Sequence, residues 1–342
     1  MARGGHRGHP GSGMAAGPGR RRGAPGGRVR GGQCRAAAPQ GARVISDANF
    51  PMDGAGRTYH LSTKRGEVSN RVLSVGDLNR ARKLSAFLDP LPGTGGLFEH
   101  SSSRGFTTYT GLYRGVPVSI VTTLMGVANM DFVVRETRAV VDNPMAFVRV
   151  GTCGLLQPPA ALGTVVVAQR ARACRRNPDA FGPDGCPDDL GPYQLSLPIG
   201  PDAALEGALF QNLQAAVGAD GVVEGTNVTA CSFYSSQGRT GEAFDDRNDA
   251  LIDAILAEDP SALSLEMETF HLLDMARCSA GGSVKAASCA IGLAERWTND
   301  FLGPERMLEL ERACGKAALE TLAGADVDAN PLSGDDGDAV WT

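Results

Sequence analysis

The chain has 342 residues, 42% of them hydrophobic, which suits one large domain or two small ones with a real core. A net charge of −5 gives no general electrostatic case for nucleic acid or an acidic membrane surface, and no apolar run approaches the length of a bilayer span. The charge is unevenly placed, because arginines and glycines crowd the N-terminus while the first acidic residue is Asp47.

Residues 1–45 are low in complexity, dominated by Gly, Arg, Ala and Pro. Such a segment has too little apolar surface to offset its ordering entropy, so it is predicted to be a disordered extension or an Arg-rich transit peptide. It lacks the interleaved aromatics that RNA stacking needs. The expected location is the cytoplasm, or an organelle if the segment is a transit peptide.

The eight cysteines include no C-x-x-C pair and read as mostly free thiols in a reducing compartment. Cys174 with Cys186 is the closest loop-closing pair, and a disulfide there is disfavoured by that compartment. His6 and His9 form the closest histidine pair, inside the low-complexity segment, so no structural zinc site is expected.

In chain order, Val116 to Val121 is β-branched and predicts a strand, with Pro117 marking an edge or a strand start. Met130, Val133, Val134, Thr137 and Val141 follow helical spacing. Ala146 to Val150 and Thr164 to Ala168 predict two more strands. Residues 171–202 read as a long loop, rich in Pro, Gly and charge. Leu205, Leu209 and Leu213 mark a helix face. Val222 to Phe233 predicts a strand, Asn248 to Ala257 and Met267 to Cys278 helices, Val284 to Leu293 a strand, and Pro304 to Leu322 a closing helix with Pro in its first turn. From about Gly324 the chain reads as an acidic, Gly-rich, solvated tail. The alternation predicts an α/β fold around one central sheet, with a domain over 46–323 and a tail over 324–342.

Five segments suggest chemistry. Arg149-Val-Gly-Thr152-Cys-Gly154 ends an apolar strand with glycines that admit an anion to the backbone, a hydroxyl and a guanidinium fork, a set suited to phosphate. A tight turn with a surface arginine is the alternative. Gly76-Asp-Leu-Asn-Arg80 and Ser103-Arg104-Gly-Phe-Thr-Thr pair arginines with Gly, Ser or Thr. Ser232-Phe233-Tyr234-Ser-Ser-Gln237-Gly-Arg239 suits stacking on a flat ring and bonding to its edge, or is an aromatic strand end followed by a polar loop. Leu265-Glu266-Met267-Glu268-Thr269 sits at a strand-to-helix junction, where acids also serve as caps.

In this order the five segments resemble uridine phosphorylases of the nucleoside phosphorylase superfamily, from about Tyr59 to Leu322. The resemblance implies a single domain with a mixed, partly barrel-like sheet flanked by helices. It implies phosphorolysis of pyrimidine nucleosides, uridine plus phosphate giving uracil and ribose 1-phosphate. Gly76, Arg80, Arg149 and Thr152 are implied phosphate ligands, joined by Arg104 from a neighbouring subunit. His60 is implied to cross the same interface to the ribose 5′-hydroxyl, so a homo-oligomer is expected. Met267 and Glu268 are implied ribose contacts, with Glu266 nearby. Phe233, Gln237 and Arg239 are implied base contacts, and Arg149, Glu268 and Arg239 carry catalysis. Leu293 stands where purine-specific relatives carry an aspartate, which favours pyrimidines. No cofactor or metal is implied, phosphate being a co-substrate, and neither nucleic acid nor membrane is an expected partner. Two positions depart from the family pattern. Leu124 replaces the first glycine of a Gly-x-Gly turn, and Gly105 stands where bacterial relatives place a cation-binding glutamate. The alternatives are a nucleosidase or purine nucleoside phosphorylase on the same fold, or an inactive storage-type relative.

Overall fold

The computed structural model describes residues 44–182, 191–328 and 339–341. Among these the strands are β1 (Ile45–Ser46), β2 (Met52–Asp53), β3 (Arg71–Val75), β4 (Phe98–Ser101), β5 (Thr107–Tyr113), β6 (Val116–Thr122), β7 (Met145–Leu155), β8 (Val165–Arg176), β9 (Tyr193–Leu195), β10 (Val222–Ala230), β11 (Ala262–Glu266) and β12 (Val284–Glu295). The α-helices are α1 (Leu78–Ser85), α2 (Val127–Ala139), α3 (Ala203–Val217), α4 (Leu251–Glu258), α5 (Thr269–Arg277) and α6 (Pro304–Ala323). None is long and apolar enough to cross a membrane.

Ten strands form one mixed sheet in the order β11-β10-β8-β12-β7-β3-β6-β5-β4, with β9 on β8. A further antiparallel pairing, Ser264 with Leu155 and Leu265 with Gly154, joins β11 back to β7. The strands β7, β12, β8, β10 and β11 thereby close into a ring, and the rest of the sheet extends from β7. The closed part is the barrel-like half anticipated above. β3, β7 and β11 are buried almost throughout, as strands covered on both faces must be. α3 and α6 cover one face, with Leu209, Leu213, Leu310, Cys314 and Leu322 packed in one cluster with Leu73, Val148 and Ile291. α2 and α5 cover the other, around Met130, Phe147, Phe270 and Leu273.

Several expectations need correction. The predicted loop at 171–202 begins inside β8, which pairs with β10 through Cys174. Its arginines mimic a solvated segment, but Arg172 is 7% exposed, donates from Nε to the Ser196 carbonyl at 2.7 Å and ion-pairs with Glu258. Of the two readings of Pro117 the strand start holds, since it is the second residue of β6, which runs inside the sheet between β3 and β5. No periodicity announces β3, α1, β4 or β5. α1 is only eight residues long, and β5 buries Thr107, Thr108 and Thr110, whose hydroxyl at Thr110 donates to the Glu67 carbonyl at 2.7 Å. β10 ends at Ala230, short of Phe233, and α5 starts at Thr269, so Phe233, Met267 and Glu268 all lie on connections.

The stretch from Gly324 is only partly solvated where it is described, with Gly324, Asp326 and Asp328 exposed. Val327, Ala339 and Trp341 are buried, Trp341 packs with Leu91 and Phe98, and the Val340 N–H donates to the Gly66 carbonyl at 2.9 Å. The predicted extension lies outside the described residues up to residue 43, as do Cys34 and Cys186, and with Cys186 the pairing with Cys174. Cys153, Cys174, Cys289 and Cys314 are buried free thiols. Burial pushes Cys174 and Cys314 up to about 12, which leaves them unreactive.

Glu206 on the first turn of α3 shares a hydrogen bond with Glu224 on β10. Burial first, and then the neighbouring carboxyl, push it up to about 7 from 4.5. Folding therefore favours the protonated form, and stability is lost as pH rises from the unfolded value through 7. Glu206→Gln removes that loss. Its Tm is expected to exceed that of the parent at pH 8, with the difference shrinking towards pH 5. A pH-independent difference in calorimetric scans would refute the assignment.

Candidate active site

A cavity of about 290 Å3 opens where β3, β10 and β11 end. Gly76, Arg80, Arg149, Thr152, Phe233, Gln237, Arg239, Met267, Glu268 and Leu293, all singled out from the sequence, line it together.

Its cationic end is built from two buried arginines. Arg80, on α1, donates from Nε to Glu311 Oε1 of α6 at 3.0 Å and from Nη1 to the Val150 carbonyl at 3.3 Å. Glu311 is 4% exposed, and Lys83 also reaches it. Arg149, on β7, is 3% exposed; its Nη2 ion-pairs with Glu268 and its Nε lies 3.4 Å from Glu266. Its Nη1 is buried without a hydrogen-bond partner among the described residues. An orphaned guanidinium nitrogen is costly, so this atom points to an anionic ligand. Gly151 makes room for the side chain, since a Cβ there would stand 3.1 Å from Arg149 Nη2.

The two glutamates differ in employment. Glu266 accepts from Thr229 Oγ1 at 2.6 Å, from the Glu268 N–H at 2.9 Å and from the Thr269 N–H at 3.0 Å, so it caps α5 and braces Arg149. Glu268 takes the Gly126 N–H at 2.5 Å besides Arg149, and both glutamates line the cavity. Burial pushes its carboxyl above the ordinary value; Arg149 pulls it down by less, and Glu266 adds to the rise.

At the other end, Arg239 lies 4.1 Å over the Phe233 ring and donates from Nε to the Phe233 carbonyl at 3.1 Å. Burial lowers its pKa. Arg296 holds this loop from below, donating to the Gln237 carbonyl at 2.8 Å and the Gly238 carbonyl at 3.0 Å, while Asn248 donates to the Ser235 and Arg239 carbonyls. Phe301, 70% exposed, stands at the rim.

His60 and Arg104 do not line this cavity. They share a separate patch, with the Arg104 guanidinium 4.5 Å over the Tyr59 ring and the Tyr59 and His60 rings edge to face at 5.0 Å. The two departures from the family pattern meet each other. Leu124 adopts φ +58, the left-handed region that glycine normally fills, and its Cδ1 lies 3.9 Å from where a Cβ on Gly105 would be. Glu311, Arg296, Asn248 and Thr229 were not anticipated. Only Glu311 left a signal, as a glutamate between Leu310 and Cys314 on the helix face turned to the core.

A part-closed mixed α/β sheet with a cavity at its strand ends is an architecture suited to binding a small ligand there. The sequence profile of the phosphorylase superfamily matches residues 70–323, and the chain belongs to that superfamily. It is similar to a solved uridine phosphorylase of the oomycete Phytophthora capsici, at 40% identity and TM-score 0.77, over 82% of this chain and 99% of that one. A uridine phosphorylase of Thermococcus kodakarensis is 27% identical over 258 residues, 74% of this chain and 83% of that protein. A DeoD-type purine nucleoside phosphorylase of Geobacillus kaustophilus is 33% identical over 115 residues, 33% of this chain and 46% of that protein.

Proposed function

We propose that the protein splits uridine with inorganic phosphate into uracil and ribose 1-phosphate. The observation that carries this reading is the Arg149 guanidinium, which joins Glu268 through Nη2 and leaves Nη1 for an anion. One side chain thereby sets phosphate beside a carboxylate suited to sugar hydroxyls.

Arg80, Arg149, the Thr152 hydroxyl and the backbone at Gly76 hold phosphate. Glu268 accepts from the ribose hydroxyls, and Met267 packs on the sugar. Phe233 packs on uracil, while Gln237 and Arg239 read its edge. As the bond from C1′ to N1 stretches, the sugar takes on oxocarbenium character, which the phosphate anion stabilises before its oxygen bonds to C1′. The bonding pair leaves with uracil, whose anionic charge Arg239 and Gln237 meet where it develops. These steps call for no metal or cofactor. Leu293 has no proton to offer a purine N7, which disfavours the purine chemistry of the partly similar DeoD-type protein. His60 and Arg104, away from their own cavity, serve that of a second copy, which makes the protein at least a symmetric dimer.

Uridine and inosine cleavage by purified protein, each with and without phosphate, tests the reading. Uracil release that requires phosphate, with little hypoxanthine, is expected. Release without phosphate would make the protein a nucleosidase, dominant hypoxanthine a purine enzyme, and no release an inactive relative.

A further inference from the structure

Glu136 stands outside the cavity on the third turn of α2 and is 6% exposed, yet among the described residues its carboxylate forms no ion pair with a lysine or arginine. It accepts instead from the chain that carries His60. The His60 N–H lies 2.9 Å from Oε1 and 3.0 Å from Oε2, the Leu61 N–H 2.8 Å from Oε2, and His60 Nδ1 2.6 Å from Oε1. One turn earlier on the same helix, Phe132 stacks on the imidazole at 3.7 Å with the planes 8° apart.

We infer that Glu136 is a positioning residue for the sugar end of the substrate, acting through His60 on the nucleoside bound by a second copy of this chain. The inference rests on the proposed role of His60. A carboxylate can only accept, so the short contact places a hydrogen on Nδ1, and in the neutral form of the ring Nε2 is then the acceptor. The stacking on Phe132 sets the ring plane, and the two backbone bonds set the height of the loop. Together they fix the position of Nε2 on a side chain that is 21% exposed, where a hydroxyl bound by a second copy can meet it. A primary hydroxyl such as the ribose 5′-OH is such a donor. A buried carboxylate that only braced the loop would have no use for the Nδ1 contact.

α2 also reaches the cavity of its own protomer, because Gly126, which precedes its first turn, donates to Glu268. The helix therefore carries at one end a partner of the sugar carboxylate of its own site, and farther along the support of the histidine it lends. Glu136 escapes a sequence reading because a glutamate after Arg135, off the apolar positions Val133, Val134 and Thr137, looks like an ordinary solvated helix residue, and only the fold turns it inward.

The test is a cycle of Glu136→Gln, His60→Ala and the double variant, assayed with uridine and with 5′-deoxyuridine, which lacks the hydroxyl in question. Gln keeps the size of the side chain but turns an amide donor towards donors. The ratio of kcat/KM for uridine to that for 5′-deoxyuridine is expected to fall about tenfold in each single variant, the effect of losing one aimed hydrogen bond, and no further in the double variant. A ratio that falls with His60→Ala but stays at the parent value with Glu136→Gln overturns the role of Glu136 alone. A Glu136→Gln loss that is equal for both substrates, or that persists in full on the His60→Ala background, makes Glu136 merely structural. An unmoved ratio with His60→Ala sinks the role proposed for His60, and this inference with it.

Discussion

Replacing Arg149 by glutamine is expected to cut kcat/KM for uridine by about a thousandfold, the scale of losing one preorganised group at developing charge. Arg149 serves twice, since its Nη1 awaits an anion and its other nitrogens face Glu268 and Glu266. Its loss should also abolish the rise in Tm that phosphate gives by mass action. Removing one partner of a buried ion pair costs about 3–5 kcal/mol, so the variant should melt markedly lower. That deficit depends on pH in a fixed sense. Glu268 is already pushed above its ordinary value by burial, and without Arg149 it rises further. A carboxyl raised in the folded state supports folding below its unfolded pKa and loses that support as pH rises through the folded one. The variant should therefore recover stability on mild acidification relative to the parent. Arg149→Lys separates the two roles: a point charge should restore much of the Tm but not the rate, because it lacks the fork. A lysine variant with near-parental kcat/KM would show that the fork geometry is irrelevant.

Arg239→Ala is expected to lower kcat for uridine about a hundredfold while leaving the phosphate-induced rise in Tm in place. The side chain lies over Phe233 on the connection after β10, whereas Arg80 and Arg149 stand on α1 and β7, so its effect should fall on the departing base. A leaving group that carries negative charge more easily needs less help, so 5-fluorouridine should lose less activity than uridine. An equal loss for both nucleosides, accompanied by weakened phosphate protection, would mean that Arg239 only ties down the loop, through its bond to the Phe233 carbonyl and the Asn248 contact with its own carbonyl.

The residues that meet in the cavity were legible because each sits in a short run whose chemistry is local. Arg149 with Gly151, Phe233 with Gln237 and Arg239, and Glu266 with Glu268 are neighbours in the chain, and their order carried the family resemblance. The long strands and helices from Val116 onward were legible as well, since apolar periodicity survives wherever one face is buried. Polar side chains buried against partners remote in the chain were not. The arginines of β8 and the threonines of β5 look solvated until Glu258 and the Glu67 carbonyl are brought to them. The same holds for Trp341, whose packing on Leu91 and Phe98 is invisible in a tail rich in Gly and Asp.

Sequence alone was sufficient for the α/β class, the resemblance and many of the residues that line the cavity, because these rest on residue type and short spacing. Tertiary structure decided how those side chains are employed. It made Glu266 the acceptor for backbone N–H groups and Glu268 the partner of Arg149 and Gly126, although they are two residues apart, because β11 ends at Glu266 and the N–H groups that lead into α5 turn to its carboxylate. It also placed His60 and Arg104 outside their own cavity and supplied Glu311 and Glu136 as counterparts to Arg80 and His60. Spacing along a chain sets which groups share an element, whereas the partner of a buried charge is chosen by whichever element packs against it.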